Sequence, residues 1–141
     1  MILRRARLDL NLLYMNTLSD FRKVANIETL EWELLEEESA NQKGNICWYN
    51  LSYDINSGEG SYLYKMDANT KSKAHLHEGP EEFFILEGDL TDSDGYIYKK
   101  GDFVQLSSGS SHSSSSSSGC TAVVTHRGKF KFLDEIENLN K

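Results

Sequence analysis

The chain has 141 residues, a formal net charge of −7 and 26% charged residues. That length suits a single domain with a real hydrophobic core, and the acidic excess argues against a protein held to nucleic acid by charge. No apolar run approaches the ~20 residues of a membrane-spanning helix, and Arg7, Asp9 and Asn11 interrupt any signal-peptide core, so the expected compartment is the cytoplasm.

Residues 1–28 read as an N-terminal extension, short and irregular or helical, ahead of a domain over 29–141. Leu8, Leu12 and Met15, continued by Leu18, form a weak helical stripe, and Ser19 and Asp20 can cap a short turn after it. Met15 is a second candidate start of translation. Strand patterns begin near Leu30. Trp32 with Leu34, the run 46–49 and the alternation of Leu51, Tyr53 and Ile55 carry them, with a turn at 41–44. Tyr62 and Tyr64 follow the turn-rich segment 56–60, and 67–70 is the next turn. Further short strands are expected at 75–77, 82–86, 96–98, 102–106, 121–125 and 129–132, with an Asp-Gly hairpin turn at 92–95. Residues 134–141 read as a short helical or frayed tail. Many short strands and a single proline indicate an all-β antiparallel sandwich or barrel.

Two local features need separate reading. Residues 107–118 are nearly all serine, a composition typical of linkers. Strand patterns flank the run and His112 sits inside it, so it is expected to be a loop of the domain. Cys47 and Cys120 have no CxxC spacing and read as free, small hydrophobes of a reducing compartment.

The chemistry concentrates in AHLHEGPEEFFILEG, residues 74–88. His75 and His77 are two apart, so on a strand they face the same side. Glu81 follows after a short turn, and His112 joins from the serine-rich segment. Three imidazoles and one carboxylate suit a divalent metal ion such as Fe, Zn, Mn or Ni. They leave one or two positions open for water, dioxygen or a substrate oxygen. Glu82 competes with Glu81, but the spacing favours Glu81 and turns Glu82 to the other face or to a supporting role. Glu78 reads as an exposed loop charge, His126 as a surface or hydrogen-bonded core histidine, and Cys120 as no ligand. With Glu81 facing the ion, Phe83 and Ile85 share its side. These two, with Phe103 and Val104, read as packing, and Tyr62, Tyr64 and Gln105 as candidate polar contacts to a ligand.

The spacings resemble the paired motifs of the cupin superfamily. His75, His77, Glu81 and Gly88 match the first motif, with Asn69 at its opening glycine; asparagine also reaches the left-handed region that a glycine would supply. Gly101, Gly109 and His112 match the second, with Ser107 in place of its proline and Ser116 in place of a frequent asparagine. Over residues 32–127 the text is similar to small cupins that include the metal-binding domain of anti-sigma factors and relatives of dihydroxyacetophenone dioxygenase. The Glu81-Glu82 pair, the LEG at 86–88, the Asp-Gly hairpin and Gly119-Cys120 carry that likeness. The resemblance implies a double-stranded β-helix, the cupin jelly roll, often as a homodimer. It implies a divalent metal on His75, His77, Glu81 and His112, and a small-molecule ligand or substrate. Three functions follow from it: a metal-dependent dioxygenase acting on a small oxygenated substrate, a non-catalytic metal-binding sensor, or a small-ligand binding module. A sensor of the anti-sigma type carries a further zinc-ligand motif, and no histidine or cysteine precedes Cys47. Whether the protein is an enzyme stays open at this level.

Overall fold

Aromatic and β-branched residues recur at every second position in the longer patterned segments, the spacing that gives a strand one buried and one solvated face. The computed structural model describes residues 17–36 and 44–139, in two compact units divided after Leu30. In the first unit a 3-10 turn spans Leu18–Phe21, and the Thr17 N–H donates to Asp20 Oδ2 at 2.6 Å. The cap is therefore Thr17 with Asp20, and Ser19 lies within the turn. The stripe of Leu8, Leu12 and Met15 and the turn residues 41–43 lie outside the described residues.

The second unit is built of strands β1 (Glu33–Glu36), β2 (Ile46–Asn50), β3 (Glu59–Met66), β4 (Thr70–Lys71), β5 (His75–His77) and β6 (Glu81–Asp92). They continue with β7 (Ile97–Lys99), β8 (Phe103–Leu106), β9 (Ser111–His112), β10 (Ser114–Ser116), β11 (Cys120–Arg127) and β12 (Phe130–Phe132), and a helix α1 (Leu133–Leu139) closes the unit. One sheet has the order β1-β2-β3-β11-β6-β10-β4, with β7 and β8 also on β6; a second has the order β12-β5-β9. Strands far apart in sequence thus lie side by side, all antiparallel, in the all-β jelly roll that the motifs imply. Among the described residues no helix is long and apolar enough to cross a membrane.

The core sits between inward faces of β2, β3, β6 and β11. Cys120, Ala122, Val124 and His126 alternate inward along β11, against Ile46, Met66, Phe83, Ile85 and Leu90. Glu81, Phe83 and Ile85 share one buried face of β6, as period two requires. Then the strand changes parity. Thr121 pairs with Glu87 and Ala122 with Ile85, leaving Leu86 as an extra bulged residue. Gly88 follows at φ +77°, where an added Cβ would lie 1.9 Å from the Gly119 carbonyl oxygen, so only glycine fits. Beyond this point the buried residues are Leu90 and Asp92. One strand therefore brings two carboxylates, Glu81 and Asp92, into the interior from opposite ends.

Two expectations are corrected. Leu51, Tyr53 and Ile55 form no strand, because Asn50 folds the chain over: its Oδ1 accepts the Tyr53 N–H at 2.8 Å and its Nδ2 donates to the Tyr53 carbonyl at 3.0 Å. The serine run is not only loop, since it contains β9 and β10. Ser114 N–H donates to Ser72 Oγ at 2.9 Å, and Ser72 N–H to the Ser114 carbonyl at 2.8 Å, which ties the run into the sheet. Asn69 adopts φ 63°, the left-handed conformation expected at the position of a motif glycine.

Candidate metal centre

Antiparallel pairing assembles the histidines. His75 lies directly opposite His112 across β5 and β9, and Phe132 and Phe130 of β12 lie opposite His75 and His77. The His75 ring centroid is 4.8 Å from that of His77 and 4.7 Å from that of His112, and His77 and His112 are 5.0 Å apart. Glu81, the first residue of β6, projects into the same space. His75, His77, Glu81 and His112 each offer one donor atom, all within 4.8 Å of one another.

Each imidazole is held through its Nδ1. His75 Nδ1 donates to the Lys73 carbonyl at 2.9 Å, and His112 Nδ1 faces both Asp92 oxygens at 2.8 and 3.0 Å. A carbonyl and a carboxylate can only accept, so these nitrogens carry the hydrogen and each Nε2 keeps a lone pair. His77 Nδ1 lies 3.1 Å from Ser110 Oγ, and the backbones of Gly109 and Ser110 bond the His77 carbonyl and N–H at 2.8 and 2.9 Å. Asp92 is itself fixed by Tyr98 Oη at 3.1 Å and the Ser93 N–H at 2.9 Å. Hydrogen bonds of this kind set ring direction and raise donor basicity in metal sites.

The inward nitrogens fit a cation. His77 Nε2 and His112 Nε2 are buried and have no hydrogen-bond partner, an unfavourable state unless something accepts their lone pairs. Glu81 is 6% exposed. Among the described residues its ion-pair partners are imidazoles only, at 3.1 Å (His126 Nε2), 3.4 Å (His77 Nε2) and 3.7 Å (His112 Nε2). Burial pushes the Glu81 carboxyl up, but the facing imidazoles, His77 first, more than offset it and hold it below the usual carboxylate range. Burial lowers His75 and His126, whereas the hydrogen bond to Asp92 overrides burial at His112 and holds it above the ordinary imidazole value. An ion about 2.0–2.2 Å from each donor would satisfy the cluster. The four residues form a His/Glu cluster suited to a divalent metal.

His75, Glu81 and His112 line a cavity of about 310 Å³, whose further walls include Tyr62, Tyr64, Phe83, Leu90, Val124 and Phe132. Phe83 is thus both packing and wall. Phe103 is 65% exposed and takes no part. Gln105 faces away from the cavity and donates to Glu82 Oε1 at 3.2 Å; Glu82 also pairs with Arg127 on that outer face. Glu78 is an exposed loop charge beside Lys131. Cys120 is buried in the core, outside the cluster, and both cysteines are free.

Three supporting residues escaped the sequence reading. Ser110 and Asp92 carry no signal of their own. His126 does: it continues the inward alternation of Ala122 and Val124 and pairs in register with Glu81. The expectation of a hydrogen-bonded core histidine covers its burial and misses its place beside Glu81.

The sequence model of the ChrR cupin-like domain matches residues 21–130. The chain belongs to the ChrR cupin-like domain family. No curated protein matches it by sequence. Among solved structures, this ChrR cupin-like domain is similar to a candidate acetylacetone dioxygenase from Methylibium petroleiphilum PM1, with 18% identity, a TM-score of 0.67, and 79% of this chain and 81% of that one covered. An acetylacetone dioxygenase from Acinetobacter johnsonii is 19% identical with a TM-score of 0.62, covering 82% and 83%. The polyketide cyclase RemF from Streptomyces resistomycificus is 17% identical with a TM-score of 0.61, covering 79% and 85%. At such identities the likeness is one of fold, and it establishes the jelly roll.

Proposed function

We propose that the protein binds a divalent metal ion through His75, His77, Glu81 and His112 and acts as a dioxygenase-like enzyme on a small oxygenated substrate. The observation that carries this reading is the pair of buried Nε2 atoms of His77 and His112, which face Glu81 and lack a hydrogen-bond partner. A bound ion would supply a Lewis-acid centre and, as iron, electrons for dioxygen chemistry. The chain's own residues do the rest. Lys73, Ser110 and Asp92 aim the three imidazoles, while Phe83, Leu90, Val124 and Phe132 exclude water and receive an apolar substrate body. Tyr62 and Tyr64 add hydroxyl-bearing walls. The activity named for the Acinetobacter johnsonii structure supports a compact, oxygen-rich substrate of the diketone class. Fe, Zn, Mn and Ni all suit the donors. The same reading takes the protein to be cytoplasmic, with free thiols, and a homodimer.

A second reading is favoured by the family match: a non-catalytic metal sensor or small-ligand binding module of the anti-sigma type. Elemental analysis of untagged protein, run beside dioxygen uptake on diketones and phenolic ketones, separates the two. Stoichiometric iron with uptake supports the enzyme. Tightly held zinc without turnover supports the sensor, and absence of any metal sinks both the enzyme and the sensor and leaves the small-ligand module.

A further inference from the structure

His126 is 2% exposed, and its Nε2 lies 3.1 Å from Glu81 Oε2. That oxygen also faces His77 Nε2, farther off at 3.4 Å, while the other, Oε1, is the one nearest His112 Nε2. An ionised carboxylate only accepts, so the His126 nitrogen facing it carries the hydrogen. Tyr62 Oη lies 3.0 Å from the same nitrogen, within hydrogen-bond distance. The ring has little freedom to leave. It stacks on Tyr62 at 5.7 Å and 20°, packs on Phe130 at 5.4 Å, and meets Tyr53 and His77 edge-on. Its backbone is fixed by the register that sets His126 opposite Glu81.

Resting on the metal-centre reading above, we infer that His126 is a positioning residue that occupies Glu81 Oε2, so that Glu81 presents only Oε1 to the ion and one coordination position is kept for a ligand. A carboxylate free at both oxygens can grip an ion with both and fill that position itself. His126 meets the cluster at Glu81, through the nitrogen 3.1 Å from Oε2, and edge-on at the ring of His77.

The test uses Co(II) added to the full chain, because four- and five-coordinate Co(II) absorbs several-fold more strongly in the visible than six-coordinate Co(II). The variants are His126→Gln, whose amide reaches the Nε2 position, and His126→Asn, whose shorter amide does not. The expected result is a several-fold weaker visible absorption for bound Co(II) in His126→Asn, with His126→Gln close to the original protein. Equal spectra for all three overturn the inference while leaving the metal centre standing. Failure of the unsubstituted protein to bind Co(II), with His77→Ala no different, overturns the metal centre and this inference with it. Should His126→Asn not fold, the difference infrared spectrum of the unsubstituted protein with and without Zn(II), referenced to Glu81→Gln, decides instead. A wide splitting of the Glu81 carboxylate stretches supports single-oxygen presentation, and a narrow splitting overturns it.

Discussion

Asp92 grips His112 with both of its oxygens, at 2.8 and 3.0 Å from Nδ1, although the two residues are held on different strands. That contact fixes the tautomer and makes Nε2 a better donor. Asp92→Asn keeps one acceptor but removes the charge. It is expected to weaken metal affinity by about tenfold or more, measured by competition with a chromophoric chelator, while the melting temperature of the metal-free protein shifts little.

His77 is 1% exposed and central to the cluster. His77→Ala is expected to abolish stoichiometric metal binding and leave a β-rich circular dichroism spectrum, because the strand pairing of β5 is made by backbone groups. Retained one-to-one metal would refute the ligand assignment.

Protons compete with the ion for the same lone pairs. Asp92 holds His112 above the ordinary imidazole value while burial lowers His75, so His112 is protonated before His75 as pH falls. Metal affinity is therefore expected to fall on acidification, starting above the usual imidazole range of about 6.5. In Asp92→Asn the onset should move to lower pH. Titrations of metal affinity against pH for the two proteins read this shift, and coincident curves would contradict it.

Metal removal should lower stability by mass action. An ion present at about 100 times its dissociation constant contributes about 2.7 kcal/mol, so a chelator should lower the melting temperature of the unsubstituted protein and leave that of His77→Ala unchanged. Equal responses would place any bound ion elsewhere.

Gly88 and Gly95 both have left-handed backbone, at φ +77° and +89°. A Cβ at Gly88 would strike the Gly119 carbonyl oxygen, whereas one at Gly95 meets nothing within 4 Å. Gly95→Ala should cost about 1–2 kcal/mol from conformation alone. Gly88→Ala should cost clearly more, or prevent folding, as read by urea denaturation.

Strand positions were legible wherever side-chain period and turn residues agreed, as at β3, β5 and the Asp-Gly hairpin. Asn69 was readable because its side chain tolerates the left-handed backbone a motif glycine would adopt. Residues 51–55 misled because alternation alone cannot report that Asn50 bonds the backbone three residues on. The serine run misled because its strands are held by main-chain pairing, which composition does not encode. Within the site, the four clustered residues stood out by spacing. Asp92 and Ser110 did not, since their roles depend on long-range register. His126 lies one step beyond the 121–125 strand pattern, on the same alternation as Ala122 and Val124.

Because β6 brings Glu81 in at one end and Asp92 at the other, its length is as much a part of the centre as its composition. A one-residue insertion or deletion between them, away from the bulge, would rotate one carboxylate outward relative to its counterpart. Substitution of an outward side chain on the strand leaves both carboxylates facing inward, whereas a change in its residue count does not. The exposed turn at 93–95 lies outside the strand, so a change of length there leaves the number of residues between the two carboxylates as it is.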